Sequence, residues 1–535
     1  MRNEKETLEQ MIPGRARSGM SRRRFLSGCA ACAGAAGLMG TPSWLRSGVP
    51  LIGGRTAGRP GDKLKIRILY ALHAAKQDRP DWPNIGFDFQ PVMEAINSEL
   101  GRRFPDWTFV PTLATGPEQA QQVLDGDNAA PVDGYIVCQM NCWNRVAQTV
   151  AASGKPVLYA DFQYAGSGGF LVYTAGFLRA GARNVGFVAS SDFEDMIEAV
   201  RCFEKAKAAG PGFDFAAATA EVRISLTPKP GDLACVPDAL ATLSAAETVR
   251  RMKASKILAV RDDKSGPDTT LMGVPVLQIP FAEVNEAWAA ADKDEAKAIA
   301  ARWMKTAALV DGVSLTELEN SAAMYLGQKA VLKKHGANAI TINCLGGFYG
   351  GHIHAYPCLG FHELLNEGLV GGCECDVRST AAMVAVGAMT QGRPGYISDP
   401  VIDTSERRII YAHCVASNRA FGPGGAANPF QILTHSEDRQ GASVRSLLPT
   451  GFMTTSVEVS NDRKEILFHR AKAVSNDPDD RACRTKLVAE PVGDIEKLFT
   501  MWDTWGWHRV TFYGDLKEPV RGLADAIGWK VIEEA

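Results

Sequence analysis

The chain has almost no net charge: 58 basic and 60 acidic side chains leave a formal charge of -2 over 535 residues. Neither a phosphate backbone nor an anionic membrane surface would be drawn to such a surface, so no nucleic acid or membrane-surface partner is expected and a small molecule is. The chain is also short of long apolar segments. The Ala/Gly stretch Phe25–Met39 cannot cross a bilayer, which takes about 20 residues, and no membrane span is expected in the mature protein. Missing too are internal repeats beyond two α/β halves, and low-complexity tracts outside the first 45 residues. The close cysteine pairs, Cys373-Glu374-Cys375 and Cys138-Gln139-Met140-Asn141-Cys142, each lack the second pair that a four-thiolate site needs, so buried inert thiols are the expected reading.

What is there is the composition of a folded protein: 46% hydrophobic and 22% charged residues, with 52 Gly and 28 Pro. At about 100 to 200 residues per domain the length suits three. The first 45 residues stand apart. Ser21-Arg22-Arg23-Arg24-Phe25-Leu26 leads into the uncharged stretch, which is the pattern of a twin-arginine export signal, so the twin-arginine translocase is an expected partner and the periplasm or the exterior the expected destination. Leu26-Ser27-Gly28-Cys29 resembles a lipoprotein cleavage box but precedes the apolar run, so lipidation is not expected. Residues 46–62, rich in Gly, Pro and Arg, read as a linker.

From Leu64 onward short apolar runs (Tyr135–Cys138, Val157–Ala160, Val185–Ala189) alternate with helical stretches, the signature of parallel βαβ units in an open sheet. The pattern restarts after residue 210 with Ile257–Val260, Val276–Ile279 and Ala339–Cys344, and a long helix opens at the Ser314-Leu315-Thr316-Glu317 capping box. After Tyr396 the runs become short strands with turns between them. The expected architecture is therefore α/β: two Rossmann-like open-sheet domains (63–210 and 211–395), then a mostly β C-terminal domain (396–535).

The segment richest in chemistry is Gly371-Gly372-Cys373-Glu374-Cys375-Asp376, followed by an expected helix over Val377–Gln391 and by Tyr396-Ile397-Ser398-Asp399. A carboxylate before a helix and another on the strand after it can meet at one end of a sheet, where open α/β folds place ligands, and two such carboxylates can share a divalent cation. Asp376 reads best as the helix cap. Histidines that could complete a site are His352, His354, His413, His435 and His508. Trp502, Trp505 and Trp507 near His508 could stack on a ligand, though an aromatic cluster is more often core.

This arrangement resembles the L-fucose and L-arabinose isomerases, which carry Glu-x-Asp before a helix and an acidic residue on a strand about 24 to 27 residues later. Here Glu374 and Asp399 are 25 residues apart, with Asp376 in the third motif position. The resemblance implies that Glu374 and Asp399 are both metal ligands and the acid/base pair, that His508 is a third ligand, and that His413, in an Ala-His pair like the arabinose type, is a fourth. It covers residues 64–535 and implies a homo-oligomer, a hexamer with sites near subunit contacts. Asp403, four residues on, competes with Asp399 for the second carboxylate, and His352, His354 and His435 read better as satisfied polar groups or pocket lining.

The chemistry fits these residue types. Aldose–ketose interconversion by an enediol route moves a proton between adjacent carbons, and paired carboxylates on one cation can take it and return it. A carboxylate-rich site with one or two histidines suits Mn²⁺ or Mg²⁺ better than Zn²⁺. The expected function is thus a metal-dependent sugar isomerase; the alternatives are an exported lyase or epimerase using the same metal, or a non-catalytic exported sugar-binding protein.

Overall fold

The computed structural model describes residues 63–535. The expected export signal and linker, with Arg22, Arg23, Cys29 and Cys32, lie outside the described residues. Among these no helix is long and apolar enough to cross a membrane.

The fold is mixed α/β, with two open, largely parallel sheets followed by an antiparallel barrel. The first sheet holds β1 (Lys65–Ala71), β2 (Thr108–Ala114), β3 (Gly134–Gln139), β4 (Val157–Asp161) and β5 (Val185–Val188) in the order β2-β1-β3-β4-β5, all parallel. Its inner strands β3 and β4 are buried at every position, as helix-covered parallel strands are, whereas β2 at the edge is largely exposed. The helix Phe215–Leu226 packs on β5, and its Arg223 donates to the Phe187 carbonyl at 3.0 Å. Helix Phe193–Val200 opens on Asp192, whose side chain accepts the Glu194 N–H.

The second sheet holds β6 (Ile257–Val260), β7 (Gly266–Leu271), β8 (Val274–Ile279), β10 (Ala339–Ile342) and β11 (Val370–Gly372) in the order β11-β10-β6-β8-β7, with β7 antiparallel at the edge. The capping box after Ser314 opens the helix Leu315–His335, with Ser314 Oγ accepting the Glu317 N–H. Ala339–Cys344 is a strand only to Ile342, because Asn343 caps a short helix beginning at Cys344. A small sheet joins β9 (Leu309–Asp311), β14 (Phe430–Leu433) and β15 (Ser443–Ser446).

The remaining strands are β12 (Gly395–Asp403), β13 (Arg408–His413), β16 (Met453–Ser460), β17 (Glu465–Asn476), β18 (Thr485–Pro491), β19 (Arg509–Tyr513) and β20 (Lys530–Glu533). Pairing runs β16-β19-β12-β13-β18-β17, and β17 pairs back to β16, so six antiparallel strands close on themselves and leave no edge there. Strand β20 lies parallel against the start of β17.

Glu374 follows β11 of the second sheet, while Asp399 stands on barrel strand β12. The carboxylates therefore meet between a parallel sheet and the barrel, not at one end of a single sheet as the local pattern suggested. The helix Val377–Met389 makes the crossing, packed against both β11 and β16. Its approach depends on how closely β11 lies on the helix Cys358–Asn366, since a Cβ on Gly371 would stand 2.6 Å from Phe361 Cα. Gly371→Ala should destabilise the protein by about 1–3 kcal/mol through overpacking. The control Gly101→Ala, at an exposed position of the helix Gln90–Arg103 with nothing within 4 Å, should stabilise by up to about 1 kcal/mol. Urea unfolding of the two variants checks the pair; equal midpoints would contradict this packing.

Candidate metal centre

Strand register assembles three of the four residues. In the antiparallel pair β12–β19, Ser398 stands opposite Arg509, and continuing that register by one residue sets Asp399 opposite His508. On the other side of β12, Asp399 pairs with Ala412, the residue before His413. Asp399 thus sits between His413 at the end of β13 and His508 immediately before β19. Glu374 arrives from the second sheet on a tight turn in which Glu374 (φ +61°) and Cys375 (φ +51°) are both left-handed. Such residues cost about 1–3 kcal/mol each and persist only where the surroundings hold them. Here the Cys375 N–H donates to the Ile342 carbonyl at 2.9 Å, and Asp376 begins the helix directly afterwards.

One ligand atom each from Glu374, Asp399, His413 and His508 lies within 4.8 Å of the others. His508 Nε2 is 3.1 Å from Asp399 Oδ1 and 3.4 Å from Glu374 Oε2. His413 Nε2 is 3.6 Å from Glu374 Oε1 and 3.9 Å from Asp399 Oδ2. Each carboxylate spans both imidazoles. Ligands bound at about 2.0–2.2 Å around one cation stand about 3 to 4.4 Å from each other, the range seen here. Although close, these atoms are not aimed at one another. Asp399 Oδ1, His413 Nε2 and His508 Nε2 are buried without a hydrogen-bond partner, a costly arrangement unless a shared third body satisfies them. The donor set fits a divalent cation.

The support behind the two histidines differs. The Nδ1 of His508 lies 2.8 Å from Asp376 Oδ2, the carboxylate–histidine arrangement that fixes a ligand's tautomer and turns its Nε2 toward the metal. Asp376 is held in turn: its Oδ1 accepts the Arg378 and Ser379 N–H groups at 3.0 Å each, so it is both helix cap and orienting group. By contrast His413 Nδ1 is buried with no partner. Burial alone would push His508 down, but the Asp376 carboxylate bonded to its Nδ1 and the Asp399 and Glu374 carboxylates beside its Nε2 outweigh that and raise its pKa well above the ordinary value. Loss of solvent pushes Glu374 up, yet His413 and His508 hold it below the usual carboxylate range.

The other sequence candidates fall elsewhere. Asp403 lies about 13 Å further along the strand, at about 3.3 Å per residue, where its carboxylate accepts from the backbone and hydroxyls of Ser191 and Ser405 and ties the first sheet to the barrel. His352 stacks on Phe281, and His354 meets the edge of Trp288. His435 is buried with Nδ1 3.3 Å from Asp438 and Nε2 3.3 Å from Cys414 Sγ. Trp502 and Trp505 are core, while Trp507 is partly exposed against Trp82 and Trp143. All ten cysteines among the described residues are free, and two of them adjoin the centre: Cys483 Sγ is 3.8 Å from Asp399 Oδ2 and 3.5 Å from Cys414 Sγ.

Beyond these, the structure adds Glu437, whose Oε2 accepts the Tyr349 hydroxyl at 2.8 Å. Burial pushes its carboxyl up to about 8; His435 and Tyr349 oppose the shift, and Asp81 and Glu374 reinforce it. A loop from the first sheet covers this side, with the Ile85 N–H donating to the Glu437 carbonyl at 2.7 Å and the Ala482 N–H to the Pro83 carbonyl at 2.9 Å. Nothing in the local sequence around Glu437 marked it. Comparison with models of known protein families gives no match for this chain, and comparison with curated proteins gives none either.

The carboxylates around His508 favour its doubly protonated form, so a cation must displace the Nε2 proton to bind. Metal uptake should therefore release close to one proton at neutral pH, and affinity should rise with pH up to the raised His508 pKa. Titration calorimetry in buffers of different ionisation enthalpy reads the proton count, and binding without release would contradict the assignment of His508. His413→Ala should weaken metal binding less than His508→Ala, since only His508 is oriented by a carboxylate.

Proposed function

We propose that the protein is a metal-dependent sugar isomerase of the L-fucose/L-arabinose isomerase type, built on two Rossmann-like units and a β-rich C-terminal domain. The observation that carries this reading is the convergence of Glu374, Asp399, His413 and His508, with Asp399 Oδ1 and the Nε2 atoms of both histidines buried and unpaired. Two carboxylates against two imidazoles favour Mn²⁺ or Mg²⁺ over a thiolate-seeking ion. A bound cation would polarise the hydroxyl and carbonyl oxygens of the sugar.

The chain's own groups do the rest. One carboxylate of the Glu374/Asp399 pair takes the proton from the carbon beside the carbonyl and a carboxylate of the pair delivers it to the former carbonyl carbon, while the hydroxyl proton on the first carbon passes to the former carbonyl oxygen. His413 and His508 hold Glu374 in its carboxylate form, the form that can take up a proton. Asp376 holds His508 in register while charge shifts beside it. Export by the twin-arginine route would take this centre out of the cell already folded, and self-association into a homo-oligomer completes the proposal.

The test is product analysis with a panel of aldoses and sugar acids in deuterated water. Wild type should interconvert an aldose and its ketose and either wash deuterium into the sugar or pass the proton between adjacent carbons. Glu374→Gln and Asp399→Asn each keep an oxygen able to coordinate but lose the ionisable group. Turnover should fall by at least about 10²-fold, the ordinary worth of general acid–base catalysis. Elimination products would make the protein a lyase, and sugar binding without turnover would make it a binding protein. Activity above about a tenth of wild type in both variants would place the acid/base pair elsewhere.

A further inference from the structure

Behind Asp376 the polar network continues into the barrel. Ser379 Oγ, fully buried, lies 2.7 Å from Asp376 Oδ2 and 2.8 Å from Glu458 Oε2. A hydroxyl has one proton to donate, and that proton cannot lie on both lines at once. Two hydrogen bonds around one Oγ between two carboxyl groups need two protons, so one of the carboxyl groups must be an acid.

Asp376 is not that acid. It already accepts two backbone N–H groups at a helix N-terminus and the Nδ1–H of His508, all of which favour the charged form. Glu458, on β16, is fully buried, and its Oε1 accepts the Val459 N–H at 2.8 Å. Arg509 on the neighbouring β19 spends its guanidinium on Glu534 through two hydrogen bonds. Of the charged groups facing Glu458, Asp376 disfavours its ionisation and Arg378 favours it.

We infer that Glu458 is a neutral carboxylic acid that donates to Ser379 Oγ, directs the Ser379 hydroxyl onto Asp376, and so acts as a remote positioning residue for His508. Burial pushes its carboxyl up to about 7, in keeping with that proton count. The line Glu458–Ser379–Asp376–His508 then runs in one direction. Each hydroxyl or acid proton points toward the centre, Asp376 receives Ser379 O–H and His508 Nδ1–H on the same oxygen, and His508 is left with Nε2 facing the other ligands. Glu458 touches neither substrate nor metal; its effect is to remove any choice of orientation from Ser379.

The experiment has two arms on the purified full-length protein. In the infrared, the difference spectrum of wild type minus Glu458→Gln, recorded below the pH at which this carboxyl ionises, should contain the carbonyl stretch of a protonated carboxyl. Absence of that band overturns the inference. In Mn²⁺ titrations, Glu458→Gln should match wild type, because its carboxamide N–H donates to Ser379 Oγ as the acid does. Glu458→Leu should bind Mn²⁺ about tenfold more weakly, the ordinary cost of losing an outer-shell partner. A Gln variant as weak as the Leu variant overturns the inference, and if the Leu variant does not fold, the Gln titration and the infrared band decide. The titration arm rests on the metal centre proposed above, whereas the infrared arm does not. Wild type that takes up no Mn²⁺ therefore counts against the centre, and a missing acid band counts against Glu458.

Discussion

Three carboxylates, Glu374, Asp376 and Asp399, are gathered against two imidazoles, with Asp399 and both histidines buried and Glu374 and Asp376 partly so. Burying charges of one sign together is costly unless cations and hydrogen bonds balance them, and that balance organises everything around the centre. Without a metal, the second proton on His508 supplies part of the compensation, which is why its pKa rises against the pull of burial. A divalent cation would do the same with more charge and would also reach Asp399 Oδ1 and the Nε2 atoms of His413 and His508, to which no hydrogen bond runs. The surrounding structure keeps this cluster from relaxing into ordinary ion pairs.

It does so by drawing on three parts of the chain. The second parallel sheet supplies Glu374 on a doubly left-handed turn, the barrel supplies Asp399 and both histidines by strand register, and the first sheet closes one side through the loop carrying Pro83 and Ile85. The strain at Glu374 and Cys375 is tolerated because β10 and the helix Val377–Met389 fix the backbone on either side. Closure of the barrel between β16 and β17 removes a sheet edge and makes β12 an interior strand, with His413 at the end of one neighbour and His508 immediately before the other. The same closure holds Glu458 on β16 against the helix that carries Asp376 and Ser379.

How much of this was legible in the sequence depended on distance along the chain. Helix caps are local, and Asp192, Ser314 and Asp376 could all be read from a few residues. Strands covered on both faces, such as those over Val157–Ala160 and Ile257–Val260, stand out as unbroken apolar runs. Glu374, Asp399, His413 and His508 were named through resemblance to a family, because nothing local distinguishes Asp399 from Asp403. Separating those two takes Ser191, which lies 212 residues from Asp403. Strand β2, whose alternation is weak at the sheet edge, and the helix Ser167–Arg179, whose Ser-Gly-Gly start carries no helix signal, were not foreseen. Glu437 and the Ser379–Glu458 contact, 79 residues apart, depend on barrel closure, which no short window contains.

The central claim is that one divalent cation sits among Glu374, Asp399, His413 and His508, and crystals of the Mn²⁺-loaded protein test it most directly. Anomalous diffraction measured on either side of the manganese absorption edge should give one peak per chain, at about 2.0–2.2 Å from Glu374 and Asp399 oxygens and the Nε2 atoms of His413 and His508. No peak there, or a manganese peak at other residues, would contradict the account.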